Sequence, residues 1–359
     1  MRRETSRRVS QSDVARAAGV SAGIVSSVIN GRDYGSIRVS EATKQRVLEA
    51  VRDLGYVPNL AARNLARGRN RLIGVFTYQA VFPSTSRDFY HDFLMGVEEA
   101  AEELTYNLLL VTGARAEGGG RSIYAGGVNN LQLADGAVLL GAGESRDELA
   151  RMVADNYPFV YIGQRQPEGV ELSYVAADYF GGTAAIVHEL YAIGHRRIGM
   201  VQEGADAHEP VPARRPGFLA GCRQVGITEQ DRPLLSLSRG EIGEGVRRVR
   251  DADALVGLAA DESVSALIVE RTETCLQLLA AAARAGRSVP DDLSVVSLNV
   301  PPEPPEDPGL GHLVIPRREM GREAVRILLQ LLDSDLDTPI RVTLSCGFAP
   351  ADTVAAPAS

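Results

Sequence analysis

Two short apolar helices joined by a tight turn are predicted near the beginning of the chain, and their spacing constrains the fold more than any other feature. Ser10 can cap the first helix, with Asp13 completing a capping-box-like pair, and Ser21 can cap the second. Gly19 permits the backbone angles that the turn requires. The spacing is that of a helix-turn-helix. The apolar residues that would form its small core are Val14, Ala15, Ala18, Val20, Val25, Val28 and Ile29.

The polar face of the second helix would enter a DNA major groove. A third helix is predicted from a Ser40 cap to about Gly55, and it would bury Val47, Leu48, Val51 and Leu54. Three packed helices that contact no nucleic acid remain the alternative at this point. The residues predicted to face the groove are Ser21, Ala22, Gly23, Ser26 and Ser27.

Charge divides the chain into two parts. Residues 1–71 hold 14 Lys plus Arg against 6 Asp plus Glu, and residues 72–359 hold 24 against 40, so the net charges are +8 and −16. Basic surface on one short domain of an acidic protein is expected for phosphate contact, because each neutralised phosphate releases condensed counterions. The charge therefore supports a DNA-binding head.

Several motifs in fixed order resemble the lac repressor (LacI/GalR) family of bacterial transcription regulators. They are DVARAAGVS, IVSSVINGR, VSEATKQRVLEAVRDLGYVPN and LIGV, then FYHDFLMGVEEAAEEL, GHRRI, RRPGF, SVPDDLSVVS and REMGREAV. The resemblance covers almost the whole chain and implies a homodimer that binds operator DNA. Two departures affect the operator sequence. Ile24 and Ser27 stand where the family usually has Thr and Arg, and extra residues lie within 33–38.

Residues 59–68, NLAARNLARG, match the family's hinge helix. An isolated helix of about ten residues is unstable in water, so this segment should fold only when contacts with a partner offset the entropy cost of ordering it. The expected partner is DNA. The resemblance places Leu65 as a wedge in the minor groove, where such side chains kink the duplex. A solvated linker is the alternative. The other residues predicted to contact DNA are Ser10, Asn30, Arg38, Asn59, Ala62 and Arg63.

With 359 residues, the chain is long enough for two or three domains. We expect a helix-turn-helix domain at residues 1–58, a hinge helix and linker at 59–71, and an effector-binding and dimerisation domain at 72–359. No signal peptide or membrane-spanning run is visible, so a cytoplasmic protein without a membrane partner is predicted. The sequence lacks CxxC pairs, metal-ligand histidine spacing, a P-loop and GxGxxG after a strand, so we expect no metal or cofactor.

After Arg71, short apolar strands alternate with amphipathic helices, and the alternation restarts near residue 173. This pattern predicts an α/β fold of two doubly wound parallel-sheet lobes, of the periplasmic-binding-protein type, around a cleft. Lobe 1 is expected at about 72–175 and 303–335, and lobe 2 at about 176–302 and 336–359. The resemblance implies three crossings between the lobes, and the proline-rich segment 301–308 fits one. One of the predicted helices ends near Leu133, and another spans residues 242–249 or slightly beyond.

Ligands of such sheets bind beyond the carboxyl ends of the strands, so polar residues that follow strands are the pocket candidates. The resemblance carries over Asp178 and Arg214 as matches to positions that hold effector hydroxyls in sugar-responsive relatives. A helix cap is the alternative role for Asp178, and an ion pair with Glu270 or Glu273 is the alternative for Arg271. The predicted effector-binding residues are Phe89, Asp178, Arg214, Arg271, Thr272 and Asn299.

Three of these positions suggest a charged ligand. Arg271 and Thr272 stand where the family often has a small polar residue and Asp, and Asn299 stands where it often has Asp. Arg214 and Arg271 could then grip a carboxylate or phosphate bidentately. We therefore hypothesise that a sugar acid or sugar phosphate is favoured. In the alternative, Arg271 turns outward and the ligand is neutral.

These features predict a cytoplasmic transcription regulator, a homodimeric repressor of a pseudo-palindromic operator, whose DNA affinity changes when a sugar or sugar derivative closes the cleft. A solute-binding receptor of the same two-lobed fold is an alternative, but it would leave the head unexplained. An enzyme that uses Asp178 with a second carboxylate is another, although no HExxH or GxSxG motif supports it.

Leu65→Ala should remove most of the specific operator affinity and leave nonspecific DNA binding nearly unchanged. The reason is that the substitution removes the predicted wedge but none of the arginines around it. Titrations of operator and of unrelated DNA at one fixed salt concentration measure both affinities, and unchanged operator affinity would contradict the wedge.

Overall fold

The computed structural model describes residues 9–30, 39–57, 69–78, 90–113, 120–141, 143, 145–165, 167–203, 211–237, 239–242, 246–249, 252–299, 309–334 and 338–358. The chain divides into two compact units, Met1–Arg71 and Leu72–Ser359. Within the described ranges, no helix combines the length and the apolar character needed to cross a membrane.

The first unit contains three helices, α1 Gln11–Ala18, α2 Ala22–Asn30 and α3 Glu41–Asp53. The predicted capping box is present: Ser10 Oγ accepts from the Asp13 N–H at 3.3 Å, and the Asp13 carboxylate accepts from the Ser10 N–H at 2.9 Å. Gly19 ends α1 with a left-handed φ of 64°. Ser21 and Ser40 accept N–H groups from the first turns of α2 and α3. The helix-turn-helix prediction is therefore confirmed.

The core of this unit is small and central. Val14, Val25 and Val47 are completely buried there. The prediction for α3 is wrong at two positions, since Leu48 is 43 % exposed and Leu54 is 37 % exposed. Leu48 lies to one side of the buried stripe of α3, and Leu54 is the C-cap residue beyond the last helical turn.

Lobe 1 of the second unit is a parallel six-stranded sheet with helices packed on it. Its strands are β1 Leu72–Thr77, β2 Asn107–Val111, β3 Gly136–Leu140, β4 Phe159–Ile162, β5 Ser173–Asp178 and β13 Arg341–Ser345. They pair in the order β13-β5-β4-β3-β1-β2. Its helices are α4 His91–Glu103, α5 Arg146–Ala154 and α10 Arg317–Asp333.

Lobe 2 is also six-stranded, and one edge strand is antiparallel. Its strands are β6 Ile198–Glu203, β7 Leu234–Leu237, β10 Ala266–Val269, β11 Ser294–Ser297, β12 Gly311–Val314 and β14 Gly347–Ala349. They pair in the order β14-β12-β11-β10-β6-β7, with β14 antiparallel to β12. Its helices are α6 Tyr179–Ala192, α7 Val211–Val225, α8 Ala252–Ala260 and α9 Thr272–Arg284. The prediction of two doubly wound parallel-sheet lobes is confirmed.

The chain crosses between the lobes three times, as predicted. The first crossing follows Asp178, the second is at residues 315–316, and the third is at Cys346. The predicted crossing at 301–308 is wrong, because that segment connects β11 and β12, which pair in one sheet. The segment itself lies outside the described residues. Lobe 2 therefore continues to Val314 instead of ending near 302, and β13 belongs to lobe 1.

Two predicted helices are not found in the described residues. Before Leu133 the chain forms turns and a short 3₁₀ segment, in which Gly126 and Gly127 have φ values of 78° and 84°. Such left-handed angles stop a helix. In the region of the predicted 242–249 helix, β8 Arg239–Ile242 instead pairs antiparallel with β9 Val246–Val249.

Helices α4 and α10 approach so closely that glycine is required at their contact. A Cβ on Gly96 would lie 1.9 Å from the carbonyl oxygen of Arg318, and a Cβ on Gly321 would lie 2.2 Å from that of Phe93. The obstructing atoms belong to backbone, which cannot rotate away. The Gly96 and Gly321 positions therefore set the distance between these helices.

Gly96→Ala should lower the free energy of unfolding by about 3 kcal/mol, the upper end of the usual cost of overpacking. Urea denaturation of the full chain measures the change. Gly257→Ala is a matched control, since Gly257 is an exposed residue within α8 and a Cβ there would meet nothing within 4 Å. This control should be stabilised by about 0.5–1 kcal/mol, because alanine favours helix. Equal midpoints for wild type and Gly96→Ala would show that α4 and α10 separate easily.

Candidate functional site

The predicted DNA-reading face lies on α2. Ser21 and Ala22 are exposed at its beginning, and Gly23 and Ser26 are partly exposed. Ser27 differs from the prediction because it is buried. Helix α2 packs against both α1 and α3, which leaves a narrower polar face than the sequence suggested. The side chain of Asn30 and the predicted contacts Arg38, Asn59, Ala62, Arg63 and Leu65 lie outside the described residues, as does the effector candidate Phe89.

Asp178 caps a helix at the first crossing between the lobes. It ends β5, and its Oδ1 accepts from the Gly181 N–H at 2.7 Å in the first turn of α6. The capping role is thus present, and Asp178 stays partly exposed at the carboxyl end of a lobe 1 strand. The cap fixes the carboxylate at the edge where a ligand would bind.

Arg214 is buried across the carboxyl ends of two neighbouring strands of lobe 2. Its guanidinium donates to the carbonyl oxygens of Glu270 at 3.3 Å and Leu298 at 2.5 Å. The Glu270 carboxylate lies 3.8 Å away and is equally buried. Burial lowers the pKa of Arg214, and the charge of Glu270 acts in the opposite direction. The charge of Arg214, a predicted effector-binding residue, is therefore already compensated by Glu270 within lobe 2.

Three other predicted residues lie at the same edge of lobe 2. Arg271 is the extended N-cap residue of α9, and Thr272 begins that helix with its Oγ1 3.3 Å from Ser297 Oγ. Asn299 follows β11 and is partly exposed. All three are near the ends of adjacent parallel strands, as the sequence rule predicts. Glu270, the proposed alternative partner of Arg271, faces Arg214.

Two residues at the crossings were missed by sequence reasoning. The Arg214 guanidinium lies 5.4 Å from the ring centroid of Tyr179, the first residue of α6. Arg317 begins α10 immediately after the second crossing and is buried, and burial lowers its pKa. The charge of Arg317 also lowers the pKa of Arg214, so the two guanidinium groups lie within electrostatic range. Only the position of Arg317 just after a strand and crossing could have signalled it.

A second group of basic residues lies at the carboxyl end of lobe 1. Arg121 donates to the Thr77 carbonyl at 3.3 Å and to its hydroxyl at 2.9 Å, at the end of β1. Arg165 follows β4 and donates to the Gly141 carbonyl at 3.1 Å, at the end of β3. No sequence pattern pointed to Arg121, because it does not come directly after any of the described strands and reaches Thr77 only in the folded protein.

The described residues contain no group of three or more His, Cys, Asp or Glu side chains arranged to hold a metal ion. The site therefore offers guanidinium groups, hydroxyls and amides from both lobes. Such groups bind polar ligands through hydrogen bonds and charge.

Three protein-family descriptions match the chain. "Bacterial regulatory proteins, lacI family" matches residues 11–59, "Periplasmic binding proteins and sugar binding domain of LacI family" matches 77–244, and "Periplasmic binding protein-like domain" matches 187–353. The HTH-type transcriptional regulator CelR of Thermobifida fusca is 32 % identical over 346 residues, covering 95 % of this chain and 97 % of that protein. The chain belongs to the lacI family. As a lacI-family member, it is a DNA-binding transcription regulator.

Solved structures of transcription regulators have a similar fold. The complex of transcriptional regulator CelR with cellobiose has a TM-score of 0.56 and 25 % identity, covering 96 % of this chain and 100 % of that one. The lac repressor dimer bound to operator and the anti-inducer ONPF has a TM-score of 0.70 and 20 % identity, covering 98 % and 100 %. At that identity, the second likeness concerns the fold alone.

Glu270→Ala should lower the free energy of unfolding by about 3–5 kcal/mol, because it leaves the buried Arg214 guanidinium without its carboxylate. Chemical denaturation of the full chain measures this loss. The double variant Arg214→Met, Glu270→Met should recover most of it, since a buried ion pair replaced by apolar side chains is often neutral. A double variant less stable than Glu270→Ala would contradict this account of the pair.

Proposed function

We propose that the protein is a homodimeric repressor that binds a pseudo-palindromic operator and is controlled by a sugar or sugar derivative between its lobes. The observation that carries this proposal is the capped helix-turn-helix unit of a lacI-family chain, in which Ser21 and Ala22 are exposed at the start of α2. One such head reads few base pairs, so two heads on symmetric half-sites give the required affinity.

The effector part of the proposal is supported by the facing strand ends of the two lobes. Asp178 stands at the end of β5, and Arg271 and Asn299 stand beyond β10 and β11. Ligands of open parallel sheets bind at such edges. The CelR structure that resembles this chain is described as a cellobiose complex. A sugar that binds one arrangement of the lobes better than the other would shift the DNA-binding equilibrium.

The alternatives from the sequence are less well supported. A solute-binding receptor would not need the basic head, whose residues 1–71 carry a net charge of +8. The relatives that cover nearly the whole chain are transcription regulators, which favours binding over catalysis by Asp178. Because a bacterial transcription regulator must reach its DNA, we infer that the protein works in the cytoplasm.

Operator affinity should depend steeply on salt. If a dimer contacts about 6 to 10 phosphates, log affinity should fall against log salt with a slope of roughly −5 to −9. Fluorescence anisotropy with an operator selected from genomic DNA measures the slope, and random-sequence DNA of equal length is the control. A slope near zero, or equal affinity for both DNAs, would contradict sequence-specific DNA binding.

A further inference from the structure

The segment that follows β14, residues 350–358, runs along the amino edge of lobe 2, and we call it the strap. Its middle is fixed by Thr353, which is 4 % exposed. The Thr353 hydroxyl donates to the Val295 carbonyl at 2.7 Å and accepts from the Gly311 N–H at 2.9 Å. The Val295 N–H donates to the Thr353 carbonyl at 2.9 Å. The strap therefore bonds to the beginnings of both β11 and β12.

His195 fastens the strap farther along the same edge. It is 1 % exposed, with Nε2 2.9 Å from the Ala355 carbonyl oxygen and Nδ1 2.9 Å from Ser265 Oγ. A carbonyl oxygen only accepts, so Nε2 carries a proton, and in the neutral ring Nδ1 accepts from the Ser265 hydroxyl. Ser294 Oγ adds a bond to the Ala355 carbonyl at 3.0 Å and accepts from the Ala355 N–H at 3.1 Å. A neutral His195 thus satisfies both ring nitrogens.

The residues next to His195 disfavour a positive charge on its ring. Burial lowers the pKa of His195, and the charge of Arg196 lowers it further, whereas the bond to the Ala355 carbonyl acts in the opposite direction. The Arg196 guanidinium donates to the His195 carbonyl at 3.0 Å and lies over the ring of Tyr191 in α6. A protonated ring would therefore be buried beside another cation.

The acidic groups on the neighbouring segments are engaged elsewhere or exposed. Asp261 lies before β10, and its carboxylate is 3.8 Å from the guanidinium of Arg197. Asp352, the strap's own carboxylate, is exposed and lies beside Gly309. None of the contacts that the structure describes for His195 is with a carboxylate. Protonation of the ring therefore has no counter-charge within these contacts.

The strap also anchors the third crossing between the lobes. It begins directly after β14, which follows Cys346 and pairs with β12. Its far end lies against Gly194, where a Cβ would be 3.4 Å from Pro357 Cδ. The chain that enters lobe 2 at Cys346 is thus held first by β12 and then by the strap contacts.

We propose that the strap is a pH-sensitive latch, which a neutral His195 closes and a protonated His195 opens. In the open strap the ring returns to water and to its ordinary pKa of about 6.5, so the open form binds a proton more tightly than the closed form. The closing contribution is fully present above that pH and is lost as the pH falls through the lower pKa of the closed form. The latch belongs to lobe 2 and depends on neither the effector nor the operator.

Hydrogen exchange of the full chain, read by mass spectrometry and corrected for the intrinsic pH dependence of amide exchange, tests the latch. Protection of the strap amides should fall at least about threefold between about pH 7.5 and about pH 5, because one proton changes the opening constant by up to about tenfold per pH unit. The peptide that carries β3, in lobe 1, is the internal control and should keep its protection. A fall confined to the strap supports the latch, and equal strap protection at both pH values overturns it.

Variants at His195 separate its titration from that of other groups. His195→Gln and His195→Asn each remove the titrating ring and keep an amide donor, so strap protection in either folded variant should be nearly equal at both pH values. His188→Gln is the matched control, because His188 is an exposed histidine of α6, and it should show the wild-type fall. A fall that persists in either His195 variant, or that disappears in His188→Gln, would also overturn the proposal.

Discussion

Parallel strand pairing is the constraint on which the ligand-binding part of this protein depends. In each lobe it brings the carboxyl ends of adjacent strands to one edge, whatever the distance between the strands in sequence. Arg214 can therefore bond to residues that follow β10 and β11 together, although Glu270 and Leu298 are far apart along the chain. The same pairing assembles Arg121 and Arg165 at the edge of lobe 1.

Much of the head could be predicted from local sequence because its determinants are local. A capping box needs two residues three positions apart, and the turn between helices needs a glycine at one position. Ser10 and Asp13 form the capping box, and Gly19 adopts the left-handed conformation of the turn. Side-chain exposure is harder to predict. The exposure of Leu48 and the burial of Ser27 depend on how α2 and α3 pack, and hydrophobic periodicity does not determine the packing angle between helices.

The second unit shows where periodicity fails. Strands β8 and β9 are short and charged, so their sequence pattern does not distinguish a helix from the antiparallel pair that they form. The proline-rich segment suggested a crossing from composition, but sheet membership decides crossings, and β12 pairs with β11. In the candidate site, the rule about strand ends predicted Asp178, Arg271, Thr272 and Asn299, and these residues lie at strand ends, whereas Arg165, which follows β4, was not predicted. Arg121 was missed, because only tertiary structure brings it to Thr77.

All three crossings between the lobes meet near Arg214, which gives the cleft a physical means of coupling. Tyr179 follows the first crossing and lies beside the guanidinium, Arg317 follows the second, and Cys346 is the third. Burial lowers the pKa of Arg214, and the charge of Arg317 lowers it further. Burial raises the pKa of the Cys346 thiol to about 12, and the charge of Arg214 opposes that rise. A rotation of lobe 1 on lobe 2 would move Arg317, which belongs to α10 of lobe 1, relative to a buried cation that is fixed in lobe 2. Because the energy of a buried charge depends on such distances, two different arrangements of the lobes would differ in energy at this point. A ligand that bridges Asp178 in lobe 1 and Asn299 in lobe 2 would favour one arrangement only by binding it more tightly, which is the requirement for control of DNA binding.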